Sequence, residues 1–305
     1  MKPLIAIMGP TATGKSDLGV ELAKALGGEV INADALQVYR RLDIGTAKPP
    51  PAMRRAVPHH LIDILEPSEV FSVGEFVRRA RRAIEEIRSR GRRPILVGGS
   101  GLYLRSLIDG ISPMPVIDPE VRARVRERCD AEGPMPLLEE LRGLDPKTAA
   151  RLEPGDRQRI SRALEVVLSS GRPLSEWIAS RPSGSAQIPA VRIGLTVERG
   201  ILYDRISSRI QQMVERGWVA EVDELLNLGV EPEAPGFQAI GYRQIVRHVV
   251  GEWSLEEAME DTARATRRYA KRQLTWFRRE RDIRWLPALE VEQFVPALIR
   301  EFSDS

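Results

Sequence analysis

The stretch Gly9-Pro-Thr-Ala-Thr-Gly-Lys-Ser16 lies between an apolar run, Leu4–Met8, and a helical pattern, Asp17–Leu26. Its G-x-x-x-x-G-K-S spacing between a strand and a helix predicts a P-loop rather than a glycine-rich turn that binds nothing. Glycines let backbone N–H groups turn toward phosphate oxygens, and the N-terminus of the helix adds positive potential. Lys15 brings a mobile positive charge, and the hydroxyl of Ser16 can ligate Mg²⁺. The predicted phosphate site comprises Gly9, Pro10, Thr11, Ala12, Thr13, Gly14, Lys15 and Ser16.

The composition is that of a globular protein. The chain has 305 residues, 42% of them apolar and 29% charged, enough for one large domain or two smaller ones. Cys129 is the only cysteine, which excludes an intrachain disulfide and a cysteine metal cluster. We expect no transmembrane helix, because long apolar segments are absent, and no signal peptide, because Met1 leads almost directly into the first strand. A cytoplasmic protein is therefore expected, and the lack of a dimer-like apolar stripe favours a monomer.

The order of strand and helix patterns predicts an α/β fold with a parallel sheet. The P-loop helix is followed by a second strand, Glu29–Asn32, and further strands are expected at Pro94–Val97 and Val191–Val197. Only helical periods occur between Pro119 and Ser169. We therefore expect a P-loop NTPase-like core formed by residues 1–113 and 190–305, flanked by helices, with an all-helical insertion domain at 114–189. Pro182-Ser-Gly-Ser185 is interpreted as the return linker.

Two further segments follow predicted strands at the same carboxyl edge as the P-loop. Asp34 comes just after the second strand, so its carboxylate either faces the phosphate pocket or caps a helix N-terminus. Gly98-Gly-Ser-Gly101 follows a later strand and is either a tight turn or an anion-binding turn that uses the Ser100 hydroxyl. His59 and His60 lack a third ligand at usable spacing, so loop packing is expected for them rather than metal binding.

The C-terminal part carries a basic helical pattern near Leu255–Arg279. It contains Arg264, Arg267, Arg268, Lys271, Arg272, Arg278 and Arg279, with Tyr269, Trp276 and Phe277 interleaved. Such a run is usually a solvated face. The aromatics and the few compensating acids instead favour a nucleic-acid surface. Of the 46 basic residues 40 are arginine, whose planar forks suit phosphate, although a general compositional bias also explains that number.

From the residues alone, two enzyme classes remain open. Most P-loops hold ATP or GTP, which favours a small-molecule or nucleotide kinase. The alternative is a transferase that acts on nucleic acid and uses the P-loop for another phosphate. A regulatory switch is disfavoured because no guanine-reading N-K-x-D stretch is present. Against a kinase, the nearest candidate for a Walker-B strand, Leu61-Ile-Asp63, is short, and the insertion is large for a small substrate.

Seven segments together resemble one family. They are Gly9–Ser16, Asp34-Ala-Leu-Gln-Val-Tyr39, Asp43-Ile-Gly-Thr-Ala-Lys-Pro49, Gly98-Gly-Ser-Gly-Leu-Tyr103, Gln158-Arg-Ile-Ser-Arg-Ala-Leu-Glu165, Gly241-Tyr-Arg-Gln244 and Lys271-Arg-Gln-Leu-Thr-Trp276. In this order and combination the chain resembles the bacterial tRNA dimethylallyltransferases, also called tRNA isopentenyltransferases or IPP transferases. The likeness runs from residue 4 to about residue 286. Ala35 departs from the serine that is common in the family.

The resemblance implies a reaction and roles for the matching residues. A dimethylallyl group would pass from dimethylallyl diphosphate to N6 of adenosine 37, next to the tRNA anticodon, with Mg²⁺ as cofactor. Asp34 would be the general base, Lys15 and Arg209 would contact the diphosphate, and Ser100 would stand where the family usually has threonine. The tRNA path would be lined by Asp34, Ala35, Leu36, Gln37, Ser100, Arg122, Gln158, Arg159, Ile160, Ser161, Arg162, Gly241, Tyr242, Arg243, Gln244, Lys271, Arg272, Gln273, Trp276 and Arg278.

Overall fold

The chain divides into two compact units in a computed structural model that describes residues 2–110, 112, 114–180 and 187–303. The first unit comprises Met1–Asp109 and Ile188–Ser305, and the second comprises Gly110–Gln187. The linker expected at Pro182–Ser185 lies outside the described residues. None of the described helices combines the length and the apolar character that a bilayer crossing requires.

A single parallel sheet organises the first unit, which confirms the predicted α/β fold class. Its strands, as far as the chain is described, are β1 (Leu4–Met8), β2 (Gly28–Asn32), β3 (His59–His60), β4 (Arg93–Gly98), β5 (Ala190–Thr196) and β6 (Ile283–Pro287). The strand order is β3-β2-β4-β1-β5-β6, and each neighbouring pair is parallel. The sequence did not predict β6. His59 and His60 were expected in an irregular loop, which is wrong, because Val30 and Ile31 pair with them along the sheet edge.

Helices connect the strands and fill the second unit. In chain order they are α1 (Lys15–Leu26), α2 (Pro51–Ala56), α3 (Val73–Ser89), α4 (Gly101–Ile108), α5 (Pro119–Glu132), α6 (Pro134–Leu144), α7 (Pro146–Ala149), α8 (Arg157–Ser170), α9 (Leu174–Ala179), α10 (Arg199–Glu215), α11 (Trp218–Asn227), α12 (Tyr242–Val249), α13 (Leu255–Phe277) and α14 (Val291–Ser303). A short 3₁₀ turn, Pro235–Gln238, precedes α12. Among the described residues, the second unit contains the helices α5 to α9 and no strand.

Helices cover both faces of the sheet, which is why the strands read as continuous apolar runs. Alternate β1 side chains enter opposite cores, since successive strand residues point to opposite faces. Leu4 packs with residues of α3 and α4, whereas Ile5 packs with residues of α1 and α14. A third apolar cluster is centred on Trp218 and Tyr242 of α11 and α12. The second unit has its own core, in which Leu141 of α6 and Ile160 of α8 are fully buried.

Candidate active site

The P-loop joins the end of β1 to the start of α1. Gly9 has φ 146°, and a Cβ atom there would lie 2.7 Å from the carbonyl oxygen of Leu195 on β5. Gly14 has φ 81° and immediately precedes α1. Within the loop, the Thr13 hydroxyl donates to the carbonyl oxygen of Pro10 at 2.9 Å. The glycines thus permit a tight loop at the N-terminus of α1, where anions are stabilised.

Two cations converge on this loop. The Lys15 ammonium group donates to the carbonyl oxygen of Pro10 at 2.5 Å, and the Arg209 guanidinium from α10 donates to the Thr11 hydroxyl at 3.4 Å. Burial lowers the pKa of Lys15 to about 8, against the opposing effect of Asp34, and Arg209 lowers it further. Burial also lowers the pKa of Arg209, while Asp34 acts in the opposite direction. Two desolvated positive charges so close together favour a multiply charged anion between them.

Asp34 lies at the carboxyl end of β2, beside the cavity that contains the P-loop. One of its carboxylate oxygens, Oδ1, accepts a hydrogen bond from the backbone N–H of Leu36 at 2.9 Å. No helix starts at this point, so the alternative role as a helix N-cap is excluded. Asn32 fixes the segment, because its side-chain oxygen accepts from the Asp34 N–H at 3.2 Å and its amide donates to the carbonyl oxygen of Leu61 at 3.1 Å. The sequence reasoning did not single out Asn32, although a polar residue ending a buried strand was a usable signal.

Ser100 follows β4 in the glycine-rich turn, and its side chain lies near Tyr269 of α13 and acts to lower the pKa of that phenol. Tyr269 lines the cavity, and burial raises its pKa to about 12, with a further contribution from Asp34. The phenol therefore stays protonated and can act as a hydrogen-bond donor at neutral pH. Tyr269 was noted in the sequence only as one of several aromatics in a basic helix. The structure brings it to the same cavity as the Asp34 carboxylate.

Gln273 bridges the P-loop and the glycine-rich turn. Its side-chain oxygen accepts a hydrogen bond from the backbone N–H of Thr11 at 3.0 Å, and its amide nitrogen donates to the carbonyl oxygen of Gly99 at 2.8 Å. The residue is 6% exposed. A Cβ atom on Gly99 would lie 2.4 Å from the Gln273 amide nitrogen, so the contact requires glycine there. Both the oxygen and the nitrogen of the side-chain amide are therefore hydrogen-bonded within the protein.

The P-loop, Arg209, Asp34, Tyr269 and Gln273 meet in one cavity of about 630 Å³ at the carboxyl edge of the sheet, whereas Ser100 does not line it. A polar side is formed by the P-loop and Asp34, and a more apolar side is formed by Ile206, Ile210 and Met213 of α10. The remaining wall comes from residues 45–50 and from α13, which contributes Thr262, Thr266, Tyr269, Arg272 and Gln273. The cavity can thus hold a phosphate group beside an apolar group, with a carboxylate within the same enclosure.

The residues predicted to line a tRNA path differ widely in exposure. Exposed side chains belong to Arg122, Gln158, Arg159, Arg243, Lys271, Arg272 and Arg278. Partly buried are Asp34, Ala35, Leu36, Ser100, Arg162 and Trp276. Buried are Gln37, Ile160, Ser161, Gly241, Tyr242, Gln244 and Gln273. Internal hydrogen bonds or core packing explain the buried set: the Gln244 side chain, for example, bonds the Gly241 N–H and Asp261. In this conformation the buried residues support a surface rather than form it.

The donor groups at the P-loop fit a magnesium ion that is held mainly by its substrate. Ser16 offers a hydroxyl at the cavity. Within the described part of the chain, no group of three or more histidine, cysteine, aspartate or glutamate side chains could form a metal site. His59 and His60 instead bond Val57 and Glu29. Since Mg²⁺ commonly retains waters and phosphate oxygens with one or two protein ligands, Ser16 would be a sufficient protein ligand for it.

Asp63, the nearest Walker-B candidate in the sequence, forms ion pairs with two basic side chains. Its carboxylate accepts from the Lys48 ammonium group at 2.6 Å and from the Arg54 guanidinium at 2.6 Å. The two basic side chains occupy both carboxylate oxygens. Asp63 therefore holds Lys48 and the α2 residue Arg54 together, and the structure gives no support to a Walker-B role for it.

The comparison with known protein families identifies the chain. A sequence profile described as IPP transferase matches residues 37–280. The chain belongs to the IPP transferase family. Among curated relatives, a tRNA dimethylallyltransferase of Geobacter sulfurreducens is 50% identical over 283 residues, covering 93% of this chain and 91% of that protein. One from Syntrophobacter fumaroxidans is 48% identical over 302 residues, covering 99% and 88%.

Solved structures of this family have the same fold. The full-length tRNA isopentenylpyrophosphate transferase of Bacillus halodurans is 40% identical, with a TM-score of 0.70 and coverage of 100% of this chain and 99% of that one. A eukaryotic dimethylallyltransferase, described as acting on tRNA, is 29% identical, with a TM-score of 0.81 and coverage of 96% and 76%. The match of a P-loop-like α/β fold over nearly the whole chain confirms the resemblance that the seven sequence segments indicated.

Proposed function

We propose that this IPP transferase moves a dimethylallyl group from dimethylallyl diphosphate to N6 of adenosine 37 in tRNA, giving N6-isopentenyladenosine and diphosphate. The observation that carries the proposal is the meeting of the P-loop, Arg209 and Asp34 in one cavity. In the reaction the N6–C1 bond forms, the C1–O bond breaks with its electron pair leaving on the diphosphate, and N6 loses a proton. The cavity contains groups suited to each of these changes.

The diphosphate is a leaving group whose charge has to be neutralised. Backbone N–H groups of the P-loop, Lys15 and Arg209 supply positive potential in a desolvated site, where it acts more strongly than in water. Arg209 contributes a planar fork that suits phosphate oxygens. Mg²⁺ at Ser16, when bound, would add Lewis-acid neutralisation of the same oxygens. The apolar α10 side chains Ile206, Ile210 and Met213 support placement of the five-carbon group beside them.

The adenine amine is a poor nucleophile because its lone pair is delocalised into the ring. A carboxylate that accepts the departing proton is the natural catalyst, and Asp34 is held at the cavity by Asn32 and by the Leu36 N–H. Tyr269 lines the same cavity as this carboxylate, and its protonated phenol can donate a hydrogen bond to the base. An adenosine stacked in an anticodon loop must be extruded to reach an enclosed site of this kind.

Both units have exposed basic side chains, which can neutralise RNA phosphates. In the first unit they include Lys271, Arg272 and Arg278, and in the second Arg122 and Arg159. This distribution is the observation that supports tRNA binding. We assign the helical unit, expected at residues 114–189, to recognition of the anticodon stem-loop. This assignment predicts that charge reversal at its arginines weakens tRNA binding more at low salt than at high salt.

A transfer assay tests the proposal. The full chain is incubated with Mg²⁺, labelled dimethylallyl diphosphate and one of two tRNA transcripts that differ only in carrying adenosine or guanosine at position 37. We expect label in the adenosine transcript alone. Absence of label there, or equal label in the guanosine transcript, would refute the proposal. Labelled ATP in place of the prenyl donor tests the kinase alternative, which predicts transfer of phosphate to a small acceptor without tRNA.

A further inference from the structure

The loop Asp43–Lys48 is held by hydrogen bonds from its backbone to side chains of α11 and α12. Three consecutive backbone N–H groups donate to two side chains. Those of Asp43 and Ile44 donate to one oxygen of Glu221 at 2.9 and 2.8 Å, and that of Gly45 donates to the Tyr242 hydroxyl at 3.1 Å. The Tyr242 hydroxyl in turn donates to the other Glu221 oxygen at 2.5 Å. One carboxylate thus organises the start of the loop.

The other side of the loop is tied to the segment that carries Asp34. The side-chain amide of Gln37 donates to the carbonyl oxygens of Thr46 and Ala47 at 3.2 and 3.3 Å. Gln37 is buried and follows Asp34 by three positions, and both line the cavity. The loop itself contributes residues 45–48 to the cavity wall. A displacement of the loop would therefore be transmitted through Gln37 to the segment that presents the general base.

Packing leaves the loop little freedom to move outward. A Cβ atom on Gly45 would lie 2.2 Å from the indole nitrogen of Trp218, and a Cβ atom on Gly241 would lie 2.3 Å from the far edge of the same ring. Trp218 is 1% exposed. The indole is thus enclosed between the glycine of the Asp43–Lys48 loop and the glycine that begins α12. This packing explains why both segments need glycine at these positions.

We infer that Glu221 is a positioning residue for prenyl transfer: its carboxylate, with the Tyr242 hydroxyl, fixes the Asp43–Lys48 loop and through Gln37 the Asp34 segment. The inference rests on the proposed function for its catalytic part. Glu221 does not line the cavity, so its effect on the reaction passes through the loop. Disturbing it should alter how adenine meets Asp34 and should leave the diphosphate half of the cavity, at the P-loop and Arg209, unchanged.

The test uses Glu221→Gln, with Glu224→Gln as the matched control, since Glu224 is an exposed carboxylate on the same helix. The amide cannot accept from all three of its present donors and loses the negative charge. We expect kcat at saturating tRNA to fall about tenfold, with the KM for dimethylallyl diphosphate unchanged. A misplacement of about 1 Å can cost about a hundredfold, and Glu221 acts on Asp34 only through the loop. Tyr242→Phe should lower kcat in the same direction, and the double variant should be little worse than Glu221→Gln.

A second readout does not depend on catalysis. Amide hydrogen exchange at Asp43, Ile44 and Gly45 should be faster in Glu221→Gln than in Glu224→Gln. A neutral amide accepts more weakly than a carboxylate from the Asp43 and Ile44 N–H groups, and it no longer fixes the Tyr242 hydroxyl that accepts from Gly45. Unchanged exchange, an unchanged kcat, or a loss of kcat that matches the loss of folded protein in a thermal unfolding experiment would each overturn the inference. A wild-type chain that transfers no prenyl group would refute the proposed function. The exchange rates would still test whether Glu221 holds the backbone of the Asp43–Lys48 loop.

Discussion

Replacing Gln273 with methionine separates two roles for this residue, direct contact with tRNA and support of the P-loop. Methionine is similar in length and removes both polar ends. The N–H of Thr11, which lies at the cavity, can partly rehydrate, so its loss costs about 1 kcal/mol. The carbonyl oxygen of Gly99 is buried, and leaving it unpaired costs about 1–3 kcal/mol. The total is about 2–4 kcal/mol.

The two parts of this cost should appear in different measurements. The contact with Thr11 bears on the P-loop, so about 1 kcal/mol should be lost from diphosphate binding, which is a rise in the KM for dimethylallyl diphosphate of about fivefold. The contact with Gly99 bears on the fold, so the free energy of unfolding in urea should fall by about 1–3 kcal/mol. The KM for tRNA should stay unchanged. Steady-state transfer kinetics, with each substrate varied in turn, give both constants.

Lys271→Met is the matched control, because it places the same side chain at an exposed position of the same helix. It should raise the KM for tRNA and leave both the KM for the prenyl donor and the stability unchanged. If Gln273→Met instead raised the KM for tRNA and left that for dimethylallyl diphosphate unaltered, Gln273 would be a tRNA contact. The argument from its two hydrogen bonds would then be refuted.

Three further predictions concern the cavity. Asp34→Asn should slow transfer by about a hundredfold to ten-thousandfold while the tRNA Kd from filter binding stays the same, and an undiminished rate would remove Asp34 as general base. Because the pKa of Lys15 is lowered to about 8 in the free enzyme, its charge is lost as the pH rises through 8, so the KM for the prenyl donor should rise above that pH. Lys15→Arg keeps its charge and should flatten this rise. Arg209→Lys should raise the same KM about tenfold, measured at pH 7, since a planar fork is replaced by a single ammonium group.

Features set by local sequence could be predicted correctly. The P-loop follows from fixed spacing between a strand and a helix. The position of Asp34 after a strand placed it at the same sheet edge, but left open whether its carboxylate faces the pocket or caps a helix. Because the carboxyl ends of parallel strands lie at one edge of the sheet, the turn around Ser100 could also be expected near the P-loop. The fold class therefore required only the order of strand and helix patterns. The resemblance to a known family added the chemistry of the two substrates.

Contacts between distant parts of the chain could not be predicted in this way. Thr11 and Gln273 are 262 positions apart, and no local pattern indicates that their backbone and side chain will meet. The same holds for the carboxylate of Glu221, which caps a loop 177 positions earlier at Ile44. The strand β6 was also missed. Such pairings depend on how helices pack against the sheet, which composition and periodicity do not encode.

The helix α13 shows how packing divides one sequence run into two faces with different surroundings. In sequence it is a basic run with aromatics and was interpreted as one nucleic-acid surface. Its helical period separates the run into two faces, since residues three or four positions apart share a side. The face that lines the cavity carries, at this spacing, Thr262, Thr266, Tyr269 and Gln273. The opposite, exposed face carries Arg264, Arg268, Lys271 and Thr275. Substitutions on the first face should alter kinetics with the prenyl donor, and charge removal on the second should alter only tRNA binding and its salt dependence. Under the proposed function, one helix would carry support for the diphosphate site and the electrostatic contact with tRNA on separate sides.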